Sequence, residues 1–322
     1  DDGDISGFHG DKDSWVLKLS DVGAIEWQKS LGGVFWDQAW SIRQTFDGGF
    51  IVAGHSRSNS GDVTGNHGGL DYWVVKLTES GSIEWQKSLG GSLNDFSYSV
   101  HQTLDGGYIV AGEVDSNNGD VTGVHGNTDY WVVKLDSSGI IQWQKALGGS
   151  SLDRANDITP TSDGGYIVVG IASSNNGNVS GLHGGYDYWA VKLNSVGTIE
   201  WQKALGGSGE DFAQSIDQTN DGGYVIAGMT QSNNGDVQDN DGGQDVWIVK
   251  LNSIGQIKWQ KTLGGTKAEL ANSIQQTSDG GYIIAGYSDS NDGDASGNHG
   301  SNDFWIVKLA PETSSAVEIQ AS

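Results

Sequence analysis

The sequence repeats itself every 58 residues, and this repeat limits the folds open to the chain more than any other feature. A W-Q-K-x-L-G-G motif recurs at this step without insertion or deletion, and a D-G-G motif follows it at the same step. The tryptophans of the first motif are Trp27, Trp85, Trp143, Trp201 and Trp259. An uninterrupted period of this length predicts one supersecondary unit that is stacked several times.

Each unit predicts four short strands. In the unit that begins at residue 129, an alternating segment over 129–135 is followed, after a Ser-Gly turn, by a second one over 140–147. A weaker third strand is predicted around 155–161, and a continuously apolar fourth over 165–170, as expected for a strand covered on both faces. The D-G-G motif lies between the third and fourth strands, where a tight hairpin turn is needed.

Four antiparallel strands per unit, with tryptophan and glycine at fixed places, predict an all-β, five-bladed β-propeller of four-stranded blades. A β-solenoid is the alternative, but its rungs are usually much shorter than this repeat. We expect a single propeller domain over residues 1–309, followed by a C-terminal tail or linker stub over 310–322.

One strand is present in surplus. The segments around 1–19 and 293–309 are both copies of the first strand with its preceding loop, and they lie five periods apart. Five four-stranded blades need twenty strands, whereas the sequence offers twenty-one. One terminal copy must replace its twin, pack on the rim, or add to the sheet edge of another molecule and promote oligomers or filaments.

The combination of W-Q-K-x-L-G-G with D-G-G-Y-I-V-A-G resembles the delta-sixty repeat of bacterial secreted β-propeller proteins, which are common in Bacteroidota. The resemblance covers about residues 1–309. It implies a propeller fold and an exported, extracellular or cell-surface location. It implies no catalytic residues.

The amino-acid composition limits the classes of molecule and site that the protein is expected to bind or contain. A formal net charge of −24 argues against binding to nucleic acids or anionic membranes, because such binding relies on clusters of Lys and Arg. No apolar segment is long enough to span a bilayer, so membrane insertion is not expected. The chain contains no cysteine, which excludes disulfides and thiolate metal sites.

The loop that precedes each first strand is rich in Asn, Asp and Thr, and it raises the possibility of a calcium site. Calcium prefers six to eight oxygen ligands, which acidic Gly-rich loops supply. The candidate ligands are Asn59, Asp62, Asn117, Asp120, Asn233, Asp236, Asn291 and Asp294. The alternative is that these residues only shape a turn, because Asn and Asp hydrogen-bond to nearby backbone and tolerate left-handed geometry. No cofactor is required by either interpretation.

A histidine recurs four residues before an aspartate in the same loop. The histidines are His9, His67, His125, His183 and His299, whereas the fourth loop has Asp241 instead. One His and one Asp per unit are too few for a zinc site. We therefore predict that each histidine bridges its turn to the aspartate or to a carbonyl.

The most variable segment of the unit connects its second and third strands, and we expect ligand recognition there because loops carry specificity on a rigid frame. One acid per unit predicts an acidic ring, and aromatic or amide residues follow three positions later. Such a set is suited to sugars, whose apolar faces stack on aromatic rings. The candidate ligand-binding residues are Trp36, Asp37, Trp40, Asp95, Tyr98, Asp153, Arg154, Asp211 and Glu269. The alternative is that the acids close turns and the aromatic rings fill the blade.

Enzymatic motifs are missing from the sequence: it contains no G-x-S-x-G elbow and no phosphate-binding loop. We therefore predict that the protein is not an enzyme. The favoured function is a secreted or cell-surface binding or structural module that recognises protein or itself, and the alternative is a carbohydrate-binding lectin, with or without calcium.

Overall fold

The computed structural model describes residues 5–240 and 242–311. Within them it contains twenty-one β-strands, and none of the described residues is helical. No described segment forms a helix that is long and apolar enough to cross a membrane. The predicted tail over 310–322 falls almost wholly outside the described residues, as does Asp241.

The strands follow the repeat closely. They are β1 (Ser14–Leu19), β2 (Ile25–Leu31), β3 (Asp37–Gln44), β4 (Phe50–Ser56), β5 (Asp71–Leu77), β6 (Ile83–Leu89), β7 (Asp95–Gln102), β8 (Tyr108–Val114), β9 (Asp129–Leu135), β10 (Ile141–Leu147), β11 (Asp153–Pro160), β12 (Tyr166–Ala172), β13 (Asp187–Leu193), β14 (Ile199–Leu205), β15 (Asp211–Gln218), β16 (Tyr224–Thr230), β17 (Asp245–Leu251), β18 (Ile257–Leu263), β19 (Glu269–Gln276), β20 (Tyr282–Ser288) and β21 (Asp303–Leu309). The four strands predicted per unit are therefore confirmed.

The sheets do not coincide with the sequence units. The full blades are β3–β6, β7–β10, β11–β14 and β15–β18, each antiparallel and in chain order. A blade thus takes its first two strands from one sequence unit and its last two from the next. Strand β9 pairs with both β8 and β10. The 115–128 loop between β8 and β9 is therefore a hairpin connection within one blade, and not a link between blades.

The two ends of the chain form incomplete sheets. Strands β1 and β2 form a two-stranded sheet, and β19, β20 and β21 form a three-stranded sheet. The described strands thus form six sheets, so the count of five complete blades stays a prediction. Strands β1 and β21 both occupy the third position of a blade, which identifies the surplus strand.

The core lies between successive blades. Tyr130 and Trp189, from neighbouring blades, are both fully buried, with ring centroids 4.5 Å apart. The Tyr130 hydroxyl donates a hydrogen bond to the Trp189 carbonyl, and Tyr72 and Tyr188 make the same bond to the next blade. Trp131, Trp189 and Trp247, at one repeat position, thus fill the space between neighbouring blades.

A lysine is buried in the third strand of each full blade. Lys134 is only 2% exposed, yet its ammonium group lies 2.9 Å from Asp105 Oδ2 and donates to the Leu135 carbonyl. Asp105 belongs to the D-G-G turn, where it also accepts a hydrogen bond from Gly107 N–H. The repeated lysine and the repeated D-G-G turn therefore bind each other, and this ion pair fixes the hairpin turn to the third strand of the blade.

Candidate functional site

The loops proposed to bind calcium are hydrogen-bonded to the backbone of the preceding blade. Asp120 and Asp62 each accept a hydrogen bond from a glycine N–H at the end of that blade, Gly90 and Gly32 respectively, and Asp236 makes the equivalent bond. In the third loop Asn178 makes this bond with a neutral amide, at 3.2 Å. Because a neutral amide accepts the same hydrogen bond, the carboxylate charge is not needed for the fold of the loop.

The remaining calcium candidates either form hydrogen bonds with backbone groups of their own loop or lie at matching positions in other copies of the loop. Asn59 and Asn291 accept from glycine N–H groups six residues later, and Asn233 donates to the Asn240 carbonyl. Asn117 and Asp294 occupy the matching loops of the second and last copies. Among the described residues, no group of three or more His, Asp or Glu side chains is placed to hold a metal ion. The turn interpretation accounts for these contacts, and calcium binding stays a prediction.

The repeated histidines bridge to the aspartate four residues later. His67 Nδ1 lies 2.8 Å from Asp71 Oδ2, and the His67 backbone N–H donates to the same oxygen at 2.7 Å. The same pairs form at the four other positions: His9–Asp13, His125–Asp129, His183–Asp187 and His299–Asp303. The predicted structural role of these histidines is confirmed.

The acids proposed as an exposed ring are instead buried. Asp37, Asp95, Asp153, Asp211 and Glu269 are each 0–1% exposed. Asp95 accepts hydrogen bonds from the N–H groups of Gly91 and Ser116, and so fastens the start of β7 to two loops. These buried carboxylates close turns, as the alternative interpretation predicts.

Each of these acids has a second buried carboxylate beside it. A methyl group on Gly90 would lie 2.6 Å from Asp95 Oδ2 and 2.9 Å from Asp71 Oδ1, so both carboxylates face this glycine. Asp71 Oδ1 is buried and has no hydrogen-bond partner. Burial raises the pKa of Asp71 to about 6; the nearby Asp95 charge adds to this shift, and the His67 hydrogen bonds oppose it.

The aromatic candidates do come together. Trp40 lies on the first strand of one blade and Tyr98 on that of the next, with ring centroids 5.9 Å apart. The Arg154 guanidinium, from the third blade, lies 6.0 Å from the centre of the Tyr98 ring. Trp36 and Trp40 are 38% and 54% exposed. A row of stacking groups therefore crosses three blades, and part of it faces solvent.

A buried histidine, which the sequence analysis did not single out, supports this row. His55 is 2% exposed, and neither ring nitrogen has a hydrogen-bond partner. Its ring lies edge-on to Trp36 at 5.3 Å and to Phe96 at 4.8 Å. Burial lowers the pKa of His55 to about 4, so it is neutral at pH 7. We name Trp36, Trp40, His55, Phe96, Tyr98 and Arg154 the aromatic cluster.

A polar cavity of about 310 Å³ lies beside the first strands of the blades. One repeat position supplies half of its lining residues, and this position carries a different residue type in every copy: Arg43, His101, Thr159, Asp217 and Gln275. No role for this position is predicted from the sequence. The five-fold variation at a single position is the signal that would have identified this cavity.

Asp157 anchors the same cavity, at a position where the other copies have serine. It accepts hydrogen bonds from the Ser99 hydroxyl at 2.8 Å and from the Ile216 N–H at 3.0 Å, which join the second, third and fourth blades. Burial raises the pKa of Asp157, whereas these hydrogen bonds and the charge of Arg43 oppose the rise.

Comparison with known proteins supports the fold and little beyond it. No family model matches the sequence, and no curated protein matches it. A protein of unknown function from Bacteroides caccae is similar in structure, with a TM-score of 0.50 and 13% identity over 88% of this chain and 81% of that one. BamB from Moraxella catarrhalis gives a TM-score of 0.39 and 17% identity, over 85% and 76% of the two chains. The fold of this chain is a β-propeller.

The prediction that the protein is not an enzyme is corrected. The similar solved structures include a B. megaterium levansucrase mutant, which gives a TM-score of 0.42 and 11% identity over 86% of this chain and 83% of that one. Levansucrases are enzymes, so a propeller fold without familiar motifs is no ground for excluding catalysis. At this identity the likeness concerns the fold, and no reaction is assigned to this chain.

Proposed function

We propose that the protein is a binding or structural module of an extracellular or cell-surface assembly, which recognises protein partners or itself. The observation that carries this proposal is the pair of incomplete sheets at the two ends of the chain, each with a strand at the third blade position. An open sheet edge is a template for pairing with another chain.

Two further features support this setting. The net charge of −24 keeps such a module soluble and away from nucleic acids and anionic lipids. The W-Q-K-x-L-G-G repeat resembles that of secreted delta-sixty-repeat propellers, and membership of that family, together with export from the cell, is part of the proposal.

The mass of the protein in solution tests this function. We expect light scattering to give a mass above that of one chain, rising with concentration, and deletion of residues 1–19 to reduce it. A constant monomer mass that the deletion leaves unchanged would contradict self-recognition through the terminal strands. Recognition of other proteins would then need a separate binding assay.

Carbohydrate binding is the second candidate function, and the aromatic cluster favours it. Trp40 is more than half exposed and lies edge-on to Tyr98, which Arg154 approaches in turn, and an exposed aromatic ring is a surface on which sugar rings stack. Lys12 lies 5.1 Å from the centre of the Trp36 ring, which extends the polar rim of this surface.

A glycan array tests the second candidate. The pure protein would be applied once with millimolar calcium and once with chelator, beside the Trp40→Ala variant. A lectin would lose its signal in the variant, whereas loss in chelator alone would assign calcium to the loops. Trp259→Ala, in a repeated structural position, is the control for loss of folding. No signal under either condition would eliminate this candidate for the glycans on the array.

A further inference from the structure

Five hydrophobic clusters join the six sheets, and the four that involve the forward faces of the full blades follow one rule. The forward face of a blade consists of alternate residues of its second and third strands: in the first full blade these are Ile51, Ala53, Tyr72 and Val74. This face packs against the rear face of the following blade, which includes Val110, Trp131 and Val133. The same equivalent positions form the interfaces between the later blades.

None of the described residues packs on the forward face of the last sheet. Its residues are Ile283, Ala285, Phe304 and Ile306, the equivalents of the four just named. Phe304 is 99% exposed, whereas Tyr72, Tyr130, Tyr188 and Val246 at the same repeat position are 0–1% exposed. Ile306 is 69% exposed, and its equivalents in the full blades are all fully buried. The face therefore has the composition of an interface, and no described residue covers it.

The opposite end of the chain has the complementary defect. Strands β1 and β2 cover part of the rear face of the first full blade through Val16 and Leu31. In the part of the chain that the structure describes, this partial blade has no first or second strand. As a result Ile42 is 42% exposed, although its equivalents Val100, Ile158, Ile216 and Ile274 are 0–4% exposed.

A cavity marks the place of the missing strands. It has a volume of about 300 Å³ and is open to solvent. One wall is β1, through Trp15, Val16 and Leu17, and the other is the first full blade, through Ile42 and Val52. In the full blades this position, between the third strand and the following blade, is filled by the second strand. The second strand of the last sheet, β20, presents Ile283 and Ala285 for this purpose.

The two ends do not satisfy each other within the described chain. The last sheet belongs to a hydrophobic cluster shared with the fourth blade, and β1 and β2 belong to one shared with the first. No cluster of described residues joins them. Among the described residues no strand fills the cavity, and by the repeat the strands that would fit it are copies of β19 and β20.

We propose that the β19–β20 hairpin of one molecule completes the partial blade of a second copy, by pairing β20 with the free edge of that copy's β1. This deepens the self-recognition proposed above and rests on it. The internal blades define the register: Gly54 is opposite Trp73 and His55 opposite Tyr72, so Gly286 lies opposite Trp15 and Tyr287 opposite Ser14.

The exchange keeps the number of sheet hydrogen bonds nearly constant. β21 occupies the edge of β20 that β1 of the second copy would take, so β21 leaves as β1 arrives. Because the two strands are copies of each other, the gain comes from burying Ile283 and Ala285 of β20 together with Ile42 of the second copy, whereas Phe304 and Ile306 leave with β21. The contact joins different surfaces of the two molecules, which makes it head-to-tail and able to continue into filaments or closed rings.

Engineered cysteines test this interface cleanly, because the chain has no cysteine of its own. The variants Ser14→Cys and Tyr287→Cys would be purified separately, mixed and oxidised. We expect a disulfide-linked heterodimer, roughly tenfold more abundant than with the control pair Ser14→Cys and Ser162→Cys, because bound partners have a high effective concentration. Ser162 is exposed on a turn distant in sequence from both strands.

A second variant gives an independent measurement. Ala285→Arg places a charge on the exposed forward face, so it leaves the fold of the single chain intact and is expected to reduce the light-scattering mass to that of a monomer. Val196→Arg is the matched control, since Val196 is 63% exposed and lies outside both faces.

The outcomes separate this interface from the proposed function. An oligomer without the specific disulfide overturns the interface and leaves self-recognition standing. A monomer whose double variant, Ser14→Cys with Tyr287→Cys, cross-links within one chain overturns the exchange between copies and shows that the ring closes on itself. A monomer without any cross-link overturns both the interface and self-recognition.

Discussion

At the scale of single residues, the repeated lysines show how one substitution between copies changes the strength of an interaction. Lys134 has one carboxylate partner, Asp105, and its other contacts are the Gln142 side chain and a carbonyl. Lys76, one repeat earlier, has two carboxylate partners, Asp47 and Glu84. Both lysines are 2–3% exposed, so their environments differ mainly in the second acid.

This difference predicts unequal effects of the same mutation. Asp105→Ala removes the only carboxylate from a buried ammonium group, whereas Asp47→Ala leaves Lys76 paired with Glu84. We expect the free energy of unfolding to fall by about 1–2 kcal/mol more for Asp105→Ala than for Asp47→Ala. The two acids accept the same hydrogen bonds within their turns, so the loss of these bonds cancels when the two variants are compared. Equal losses in urea unfolding would show that the second acid contributes nothing.

The raised pKa of Asp71 predicts a pH dependence of stability. Its folded pKa of about 6 exceeds the usual unfolded value, so the native state takes up a proton as the pH falls from about 7 to about 4 and gains stability. His55 and His101, whose pKa values are lowered to about 4 by burial, act in the opposite direction. The comparison of Asp71→Asn with the unmodified protein isolates the aspartate.

We expect the unmodified protein to gain about 1–3 kcal/mol relative to Asp71→Asn between pH 7 and pH 4. Urea unfolding at several pH values measures this difference. If the two proteins kept parallel pH profiles, Asp71 would not be the titrating group.

At the scale of strands and blades, close backbone approach determines where glycine is required. Gly112 lies on the second strand of its blade, opposite the bulge of the first strand. A methyl group there would lie 1.9 Å from the Phe96 carbonyl oxygen and 2.8 Å from the Tyr72 hydroxyl of the preceding blade. The glycine therefore permits both the bulge and the packing of two blades.

Gly112→Ala is expected to destabilise the protein by about 3 kcal/mol or more. The reason is that the Phe96 carbonyl oxygen is part of a paired strand and the Tyr72 hydroxyl is buried between blades, so neither can move away from the added methyl group. Gly185→Ala is the control: no atom lies within 4 Å of its added methyl group, and its backbone is not left-handed. We expect that control to stay within about 0.5 kcal/mol of the unmodified protein. Thermal unfolding of both variants checks the prediction, and an unaffected Gly112→Ala would refute the steric explanation.

At the scale of the whole molecule, the incomplete ends predict that stability depends on protein concentration. Completion of a blade by a second copy is a binding reaction of the native state, so the unfolding midpoint should rise with concentration by mass action. A tenfold increase adds at most about 1.4 kcal/mol for each completed interface. Ala285→Arg should remove this dependence, and a midpoint that is constant for the unmodified protein would argue against exchange between copies.

Much of the fold is local information and could be predicted from sequence. Alternation and turn glycines place the strand at 129–135 as the structure has it, and they identify the D-G-G hairpin and the buried strand that follows it. The aromatic cluster was found in part, because Trp36 and Trp40 break the repeat. The sequence did not show whether the repeated acids are buried or form an exposed ring, since a sequence pattern does not tell which side of a turn a carboxylate faces.

The sequence by itself determined the period, the strand type, the turns and the surplus copy, because each depends on residues close together in the chain. Only the tertiary structure decided that blades combine two sequence units, that Asp157 joins three blades, and that the first and last described sheets are incomplete. The physical reason is that near-identical repeats carry near-identical local signals. Pairing and burial between distant strands depend instead on how many units are stacked and on what the first and last of them meet.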